Sequence, residues 1–289
     1  MPLELTFLGT GTSAGVPMIG CSCPVCRSDD PRDRRDRASV LVRTPDPTFH
    51  PGEPHAAFNP RQVGVRQLLI DTSPDLRHQA IRAQLSRLDG VLVTHTHADH
   101  IFGLDDLRRF NAAMDAPVDL YAEPAAIDTL RSMFHYIFEP HKNINKSFVA
   151  NLLAFPVEPG QPRPLFGATW TPLRLLHGRL PILGFRVDHQ GSSLAYCTDV
   201  STIPPETYRH LYNLDVLVLD GLRERHHPTH LTVDQALAII EELKPKRAYL
   251  THIAHDLAHA DLAARLPAHV APAHDGLVLT LPDHSAALS

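Results

Sequence analysis

Short runs in which apolar residues alternate with polar ones, or stand unbroken, recur along the whole chain. Leu3–Gly9, Ser39–Arg43, Gln67–Asp71, Gly90–Thr94, Val118–Tyr121, Thr169–Leu176, Ile182–Val187, Ser193–Cys197, Asp215–Asp220, Ala248–Thr251 and Leu277–Thr280 have the length and period of strands. Helical spacing falls between some of them. Over Thr232–Lys244, Val233, Ala236, Leu237 and Ile240 share a face, Thr232 and Gln235 have capping-box spacing, and Pro245 closes the run. A second helix is predicted after Pro124, with Ile127, Leu130, Phe134 and Ile137 on one side. Early strands follow one another with few helices, and later ones mix with helices. That order predicts two packed sheets with helices outside, a layered α+β sandwich, in preference to one doubly wound sheet.

Residues 44–66 are rich in Pro, Gly and His and lack any period, which reads as a surface insertion. Residues 138–148 break the helical pattern with Pro140 and two asparagines, as a loop near a site would. With no internal repeat or low-complexity tract, one domain over 1–289 is the simplest division.

Composition narrows the function classes. At 289 residues and 43% hydrophobic content the chain can bury a sizeable core. A formal charge of −5 argues against binding nucleic acid through a broad basic surface. A small phosphate ester stays compatible with it, because bound cations would dominate the local field. The N-terminus carries Glu4 and no basic segment followed by an apolar one, and no apolar run reaches membrane-span length, so a cytoplasmic protein without membrane contact is expected. Twenty histidines and only four cysteines, three of them between positions 21 and 26, point to metal ions and away from disulfides.

The strongest chemical signal is His95-Thr96-His97-Ala98-Asp99-His100, directly after the apolar run Val91–Val93. A strand ending in a turn can aim several side chains at one point, and imidazole nitrogens with a carboxylate form a mixed ligand set for a divalent ion. A histidine-rich chain also makes clusters by chance, but placement at a strand end weighs for a metal. Partners must come from elsewhere, and His177, Asp199 and His252 each follow a strand-like run. Alone, each reads equally as a solvated terminal residue or a turn aspartate. Together they supply the ligands that two ions need.

Cys21, Cys23 and Cys26 form a second cluster, CxCxxC, whose three thiols suit a four-coordinate structural Zn²⁺ better than a set of free cysteines. A fourth ligand is needed, and His255 leads the candidates. Its neighbour His252 would then serve the first cluster. Cys197 is expected to pack within its strand. The Gly9–Gly15 turn lacks the lysine and helix of a phosphate-binding loop and is expected to shape the floor of the metal site. Arg32–Arg37 reads as a solvated charged face, with one of its arginines, or Arg108 or Arg109, left as a candidate for gripping phosphate.

From Leu5 to His255, the order HxHxDH, lone His, Asp, late His resembles the metallo-β-lactamase superfamily, which implies a four-layer αβ/βα sandwich. Carried over by residue, the resemblance implies that His95, His97 and His177 hold one ion, that Asp99, His100 and His252 hold another, and that Asp199 bridges them. Asp71 would support the ligand loop from behind. With Gly9-Thr10-Gly11-Thr12-Ser13, Gly15-Val16-Pro17, CxCxxC and HxxH added, the chain is similar to the phosphoribosyl 1,2-cyclic phosphate phosphodiesterase family of phosphonate breakdown. That family implies two catalytic divalent ions, Mn²⁺ or Zn²⁺, and one structural Zn²⁺. It also implies a general acid on the loop before the last long helix, here His230, with His226 and His227 as rivals.

The expected function is therefore hydrolysis of a small cyclic phosphate or related phosphodiester by a hydroxide shared between the ions, with Asp99 and His230 as catalytic side chains. Asp199 in the bridging place favours phosphoester chemistry within the superfamily. Two alternatives remain open: a non-catalytic binding protein resembling pyrroloquinoline-quinone biosynthesis protein B, and a tRNA 3′-processing endonuclease. The negative charge and the cysteine cluster weigh against the latter. The expected partner is a small phosphodiester, with nucleic acid disfavoured and a homodimer left open.

Overall fold

The structure, a computed structural model, describes residues 2–45, 64–139, 144 and 147–282. Fourteen strands are seen among them: β1 (Leu3–Gly9), β2 (Ser39–Pro45), β3 (Val65–Ile70), β4 (Gly90–Leu92), β5 (Val118–Ala122), β6 (Leu152–Pro156), β7 (Arg163–Leu165), β8 (Ala168–His177), β9 (Leu180–His189), β10 (Ser192–Cys197), β11 (Val216–Asp220), β12 (Arg247–Thr251), β13 (Val270–Pro272) and β14 (Val278–Leu281). The helices are α1 (Leu76–Arg82), α2 (Ala98–Ile101), α3 (Arg108–Met114), α4 (Pro124–Met133), α5 (His135–Phe138), α6 (Pro205–Tyr208), α7 (Val233–Leu243) and α8 (His259–Ala263).

The strands form two seven-stranded sheets, in the orders β14-β1-β2-β3-β4-β5-β6 and β13-β12-β11-β10-β9-β8-β7. Each has an antiparallel half and a parallel half. Pairing is parallel from β3 through β6 and from β10 through β13.

Period-two patterning decides which layer each side chain enters. Leu3, Leu5 and Phe7 of β1, Val40 and Val42 of β2, Phe185 and Val187 of β9 and Val216 and Val218 of β11 meet between the sheets. Their neighbours Leu41, Leu69 and Val91 pack outward against α1 to α5, with Leu76, Phe110, Ile127 and Leu130. On the other sheet Ala195, Leu217, Leu219 and Leu250 pack outward against Val233, Ala236 and Ile240 of α7. The result is the four-layer αβ/βα sandwich, with a core between the sheets and one under each helical layer.

The capping box of α7 forms as its sequence predicts. Gln235 N–H donates to Thr232 Oγ1 at 3.2 Å, and Gln235 Oε1 accepts from Thr232 N–H at 2.9 Å. The helix expected after Pro124 is broken at Phe134, which leaves helical geometry (φ −114°, ψ 40°) and yields α4 and α5. Ile127, Leu130, Phe134 and Ile137 are nonetheless all buried in one cluster. Strands β6, β7 and β13 escape the sequence pattern because each ends a sheet, and two of them are only three residues long. An edge strand need not alternate cleanly. The proposed insertion begins and ends inside paired strands, since Thr44 faces Arg66 and Pro45 faces Val65. Residues 46–63 lie outside the described residues, as does much of the 138–148 segment. No helix among the described residues is long and apolar enough to cross a membrane.

One buried histidine outside the metal clusters has a consequence for stability. His259, at the start of α8, is 5% exposed, and its Nδ1 has no hydrogen-bond partner among the described residues. Burial, reinforced by the charge of Arg32, holds it down at about 4, below the 6.5 of a free imidazole. A depressed histidine contributes stability above its unfolded value, and that contribution is lost as pH falls toward its folded value. The urea midpoint of the metal-free chain is therefore expected to drop between pH 6.5 and 4. His259→Gln should flatten part of that drop; an identical slope in the variant would clear His259 of any role.

Candidate metal centre

Strands β3, β4, β8, β10, β11 and β12 all end at one edge of the sandwich, β8 because β9 reverses the chain between it and β10. Their ends carry Asp71, the 94–100 turn, His177, Asp199, Asp220 and His252. Asp71, Asp199 and His252 adopt left-handed backbone angles (φ 65°, 59° and 58°), unusual for residues with a Cβ. Such conformations persist where surrounding structure over-determines them, and they gather at functional sites. Here each turns a side chain inward just past its strand.

Two groups of ligand atoms result. The ring nitrogens of His95, His97 and His177 lie within 4.8 Å of one another, and so do the ligand atoms of Asp99, His100, Asp199 and His252. Asp199 also falls within 4.8 Å of His177, and so reaches toward the first group. His95, His100, His177, Asp199 and His252 are buried, whereas His97 is exposed and marks the open side.

Hydrogen bonds on the outer ring nitrogens fix which nitrogen faces inward. Nδ1–H of His100 donates to Asp71 Oδ2 (2.7 Å), and Nδ1–H of His177 donates to the Thr229 carbonyl (2.8 Å). Asp71 is held in turn by the backbone N–H and hydroxyl of Thr94, both at 2.8 Å.

Among the described residues, His95 Nε2, His100 Nε2 and both ring nitrogens of His252 have no hydrogen-bond partner. His100 Nε2 faces Asp99 and Asp199 oxygens at 3.3 Å, and His252 Nε2 faces Asp199 at 3.3 Å. Buried polar atoms in native proteins are normally satisfied, and acceptors that converge on one another call for a cation between them. The donor set fits a divalent metal.

The electrostatics divide the two groups: against the opposing effect of burial, Asp199 and Asp71 hold His100, and Asp199 holds His252, above the ordinary imidazole value, the mark of a place built for positive charge. Burial, with His100 nearby, pushes His95 well below the ordinary imidazole value, and burial lowers His177, so both rest as neutral ligands. Against the opposing effect of burial, His252 and His100 hold Asp199 well below the carboxylate range.

The cysteine cluster also closes. Nδ1 of His255 lies 3.3, 3.4 and 3.7 Å from Sγ of Cys21, Cys23 and Cys26. Tetrahedral zinc with metal–sulfur and metal–nitrogen bonds of about 2.3 and 2.05 Å would hold S and N about 3.6 Å apart. Backbone donation by Cys26 N–H draws the Cys23 thiol down to about 6, although burial opposes it.

His230 joins the first cluster from the loop before α7. Its Nδ1–H donates to Asp220 Oδ2 at 2.6 Å, and its ring stacks on that of His252 at a centroid distance of 4.6 Å. His227 lies one ring further out, 5.0 Å from His230, and bonds Thr229 instead; His226 is exposed. Asp220 was not foreseen as a site residue. Its signal was weak but present, an aspartate at a strand end beside two others that do the same. Of the arginines considered for phosphate, Arg32, Arg35 and Arg37 are engaged by Asp30, Asp33 and Asp75, and Arg108 pairs with Asp105. The Gly9–Gly15 turn serves packing: a Cβ on Gly9 would lie 2.0 Å from the Arg37 carbonyl, and one on Gly11 2.7 Å from that of Arg35.

The family model for the β-lactamase superfamily domain matches residues 66–253, well over half of the chain. The chain belongs to the metallo-β-lactamase superfamily. Within it, a crystal structure of a diphosphatase from the PhnP family is 41% identical, covers 97% of both chains and superposes with a TM-score of 0.81. That likeness agrees with the family indicated by the motifs. An octanoyltransferase of Porphyromonas gingivalis is 36% identical over 95% of this chain, which spans about half (51%) of that protein's length. Zinc-bound PqqB from Methylobacterium extorquens shares the fold, with a TM-score of 0.70 at 20% identity over 96% of this chain and 99% of that one.

Proposed function

We propose that the chain is a dinuclear metal-dependent hydrolase of a small cyclic phosphate or related phosphodiester. The observation that carries the reading is the convergence of seven side chains from four strand ends into two ligand groups, with Asp199 in reach of both. In this reading His95, His97 and His177 would hold one ion, Asp99, His100 and His252 the other, with Asp199 shared between them, and Cys21, Cys23, Cys26 and His255 would hold a structural zinc. Mn²⁺ or Zn²⁺ in the pair would lower the pKa of bound water toward neutrality and offset charge on the phosphoryl oxygens.

The chain's own residues supply the rest. Burial and the neighbouring His252 push His230 down to about 3, so its ring rests neutral, with Nδ1–H on Asp220 and Nε2 bearing no hydrogen bond among the described residues. A proton received there from the attacking water can pass to the departing alkoxide. Asp220 orients the ring through that bond, its carboxyl oxygen fixed in turn by Val200 N–H at 2.8 Å. Asp99 contributes as a carboxylate held ionised, since His100 and His252 lower it against the effect of burial.

A cavity of about 430 Å³ opens beside His95, bounded by Thr96, Pro124, Leu180 and the Glu123–Arg174 ion pair. Its size suits a small ester group. A larger cavity of about 800 Å³, between α1 and α3, holds none of the candidate ligands. The diphosphatase activity of the PhnP-family relative is phosphoryl chemistry, in keeping with this reading.

The test is a turnover screen of metal-loaded protein on cyclic ribose phosphates, 2′,3′-cyclic nucleotides and bis-(p-nitrophenyl) phosphate. Hydrolysis of a cyclic phosphate is expected. No turnover of any phosphodiester, with the metal pair filled, would return the chain to the non-catalytic binding reading.

A further inference from the structure

His252 and His255 stand in one short turn, yet they face different clusters. Something must set where that turn sits, because His252 holds a left-handed backbone conformation that its own sequence does not favour (φ 58°). The turn is held from three sides. Ile253 N–H donates to the Thr10 carbonyl at 2.9 Å, and Ala254 N–H donates to the Leu222 carbonyl at 2.9 Å. The third hold is a side chain. Arg35, 1% exposed, sends Nη1 to the Ala254 carbonyl (3.1 Å) and Nη2 to the Leu257 carbonyl (2.8 Å).

The guanidinium charge is balanced by Asp33, 3% exposed, whose Oδ1 lies 3.1 Å from Nη2 and also accepts His259 N–H at 2.7 Å. Arg35 is locked to the loop that leads into the cysteines, where it exchanges backbone hydrogen bonds with Val16 at 2.8 and 2.9 Å. The cysteine loop reaches the same turn through its thiols, and Cys23 Sγ lies 3.7 Å from the His255 carbonyl as well.

A buried ion pair costs desolvation and is weak evidence of stabilisation in itself. What it does here is bond two carbonyls of an irregular turn, those of Ala254, which otherwise accepts only a long 3.4 Å bond from Leu257 N–H among the described residues, and of Leu257.

We propose that the Arg35–Asp33 pair and the cysteine site act together as a positioning device for His252, so that filling the thiolate site raises metal affinity at the Asp99–His100–Asp199–His252 group. The proposal rests on the ligand assignment given above. In that assignment Arg35 is a positioning residue, because it meets the metal centre only through the backbone it holds. Among the described residues the hydrogen bonds of Arg35 reach Ala254, Leu257, Asp33 and Val16 and none of the elements that carry His95, His97 and His177, so the coupling is one-sided. Groups that orient a ligand from behind are typically worth about 10- to 100-fold in metal affinity.

The test uses the whole chain and reads metal, not turnover. Arg35→Met combined with Asp33→Asn removes both charges, so that no lone charge is left buried, while the introduced amide oxygen can still accept His259 N–H. Cys23→Ser opens the thiolate site separately. Cobalt(II) serves as probe, with its thiolate charge-transfer band reporting the cysteine site and its weaker visible bands the catalytic pair. In the wild type two catalytic cobalt ions are expected.

In Arg35→Met/Asp33→Asn, affinity for one of those ions should fall about 10- to 100-fold while the other is retained. Cys23→Ser should weaken the same ion, and Arg35→Lys should recover part of the affinity. Both ions binding with wild-type affinity in the folded double variant would overturn the coupling. Wild-type protein that takes up no metal at the catalytic group would instead overturn the ligand assignment, so the two failures are distinct. A double variant that does not fold leaves Cys23→Ser to decide by the same readout.

Discussion

Asp199→Asn is expected to abolish turnover, lowering it about a thousandfold or more, and to release at least one catalytic ion while the thiolate site stays filled. The side chain sits where both ligand groups meet, 3.3 Å from the inward nitrogens of His100 and of His252. Thr198 already donates to its Oδ2 at 2.6 Å, so its orientation is set before any ion arrives. Asparagine keeps the volume but removes the negative charge, and it turns one oxygen into an N–H₂ donor aimed at a place built for a cation. Metal ions contribute several kcal/mol of transition-state charge stabilisation, and about 1.4 kcal/mol is a factor of ten in rate. Metal analysis beside steady-state kinetics checks the result. A variant that keeps a full metal complement and turns over within tenfold of wild type would show that Asp199 bridges nothing.

The second large effect is at His230. Its replacement by alanine should leave metal content intact and lower turnover by about a hundredfold to ten-thousandfold, the usual worth of a positioned proton donor. Removing the ring alone would take from Asp220, which is fully buried, its 2.6 Å partner and leave only Val200 N–H, at 2.8 Å, on that oxygen among the described residues. His230→Ala/Asp220→Asn is therefore the better-folded form for kinetics. The discriminating measurement compares leaving groups. p-Nitrophenolate departs with little need of a proton, whereas an alkoxide requires one. The variant should lose far more activity on an alkyl or cyclic ribose ester than on bis-(p-nitrophenyl) phosphate. Equal losses on both would take proton transfer away from His230.

Much of the fold is legible in the order of residues because a two-residue period and a capping box are local properties. Leu3, Leu5 and Phe7 announce a strand with one face on the inter-sheet core, and Thr232 with Gln235 announces the start of α7, whatever surrounds them. Where local signals are thin, the pattern along the chain does not mark the element. Edge strands β6, β7 and β13 depend on a neighbour for pairing, and the apolar spacing that runs through Phe134 hides the break there.

The candidate ligands divide in the same way. His95, His97, Asp99 and His100 were visible together because one turn carries them, and the three cysteines because one loop does. His177, Asp199 and His252 had only their places at strand ends to mark them, and Asp220 and Arg35 had less. An aspartate after a strand is an ordinary turn residue until other strands are set beside it. Only the parallel alignment of strand ends brings Asp220 to His230, and only the packing of the Cys loop on the last turn brings Arg35 to Ala254 and Leu257. Sequence determined the types of candidate ligand and the period of the layers, since both follow from covalent neighbours. Tertiary structure decided which nitrogens face inward and which buried groups hold them, since those follow from hydrogen bonds between residues far apart in the chain.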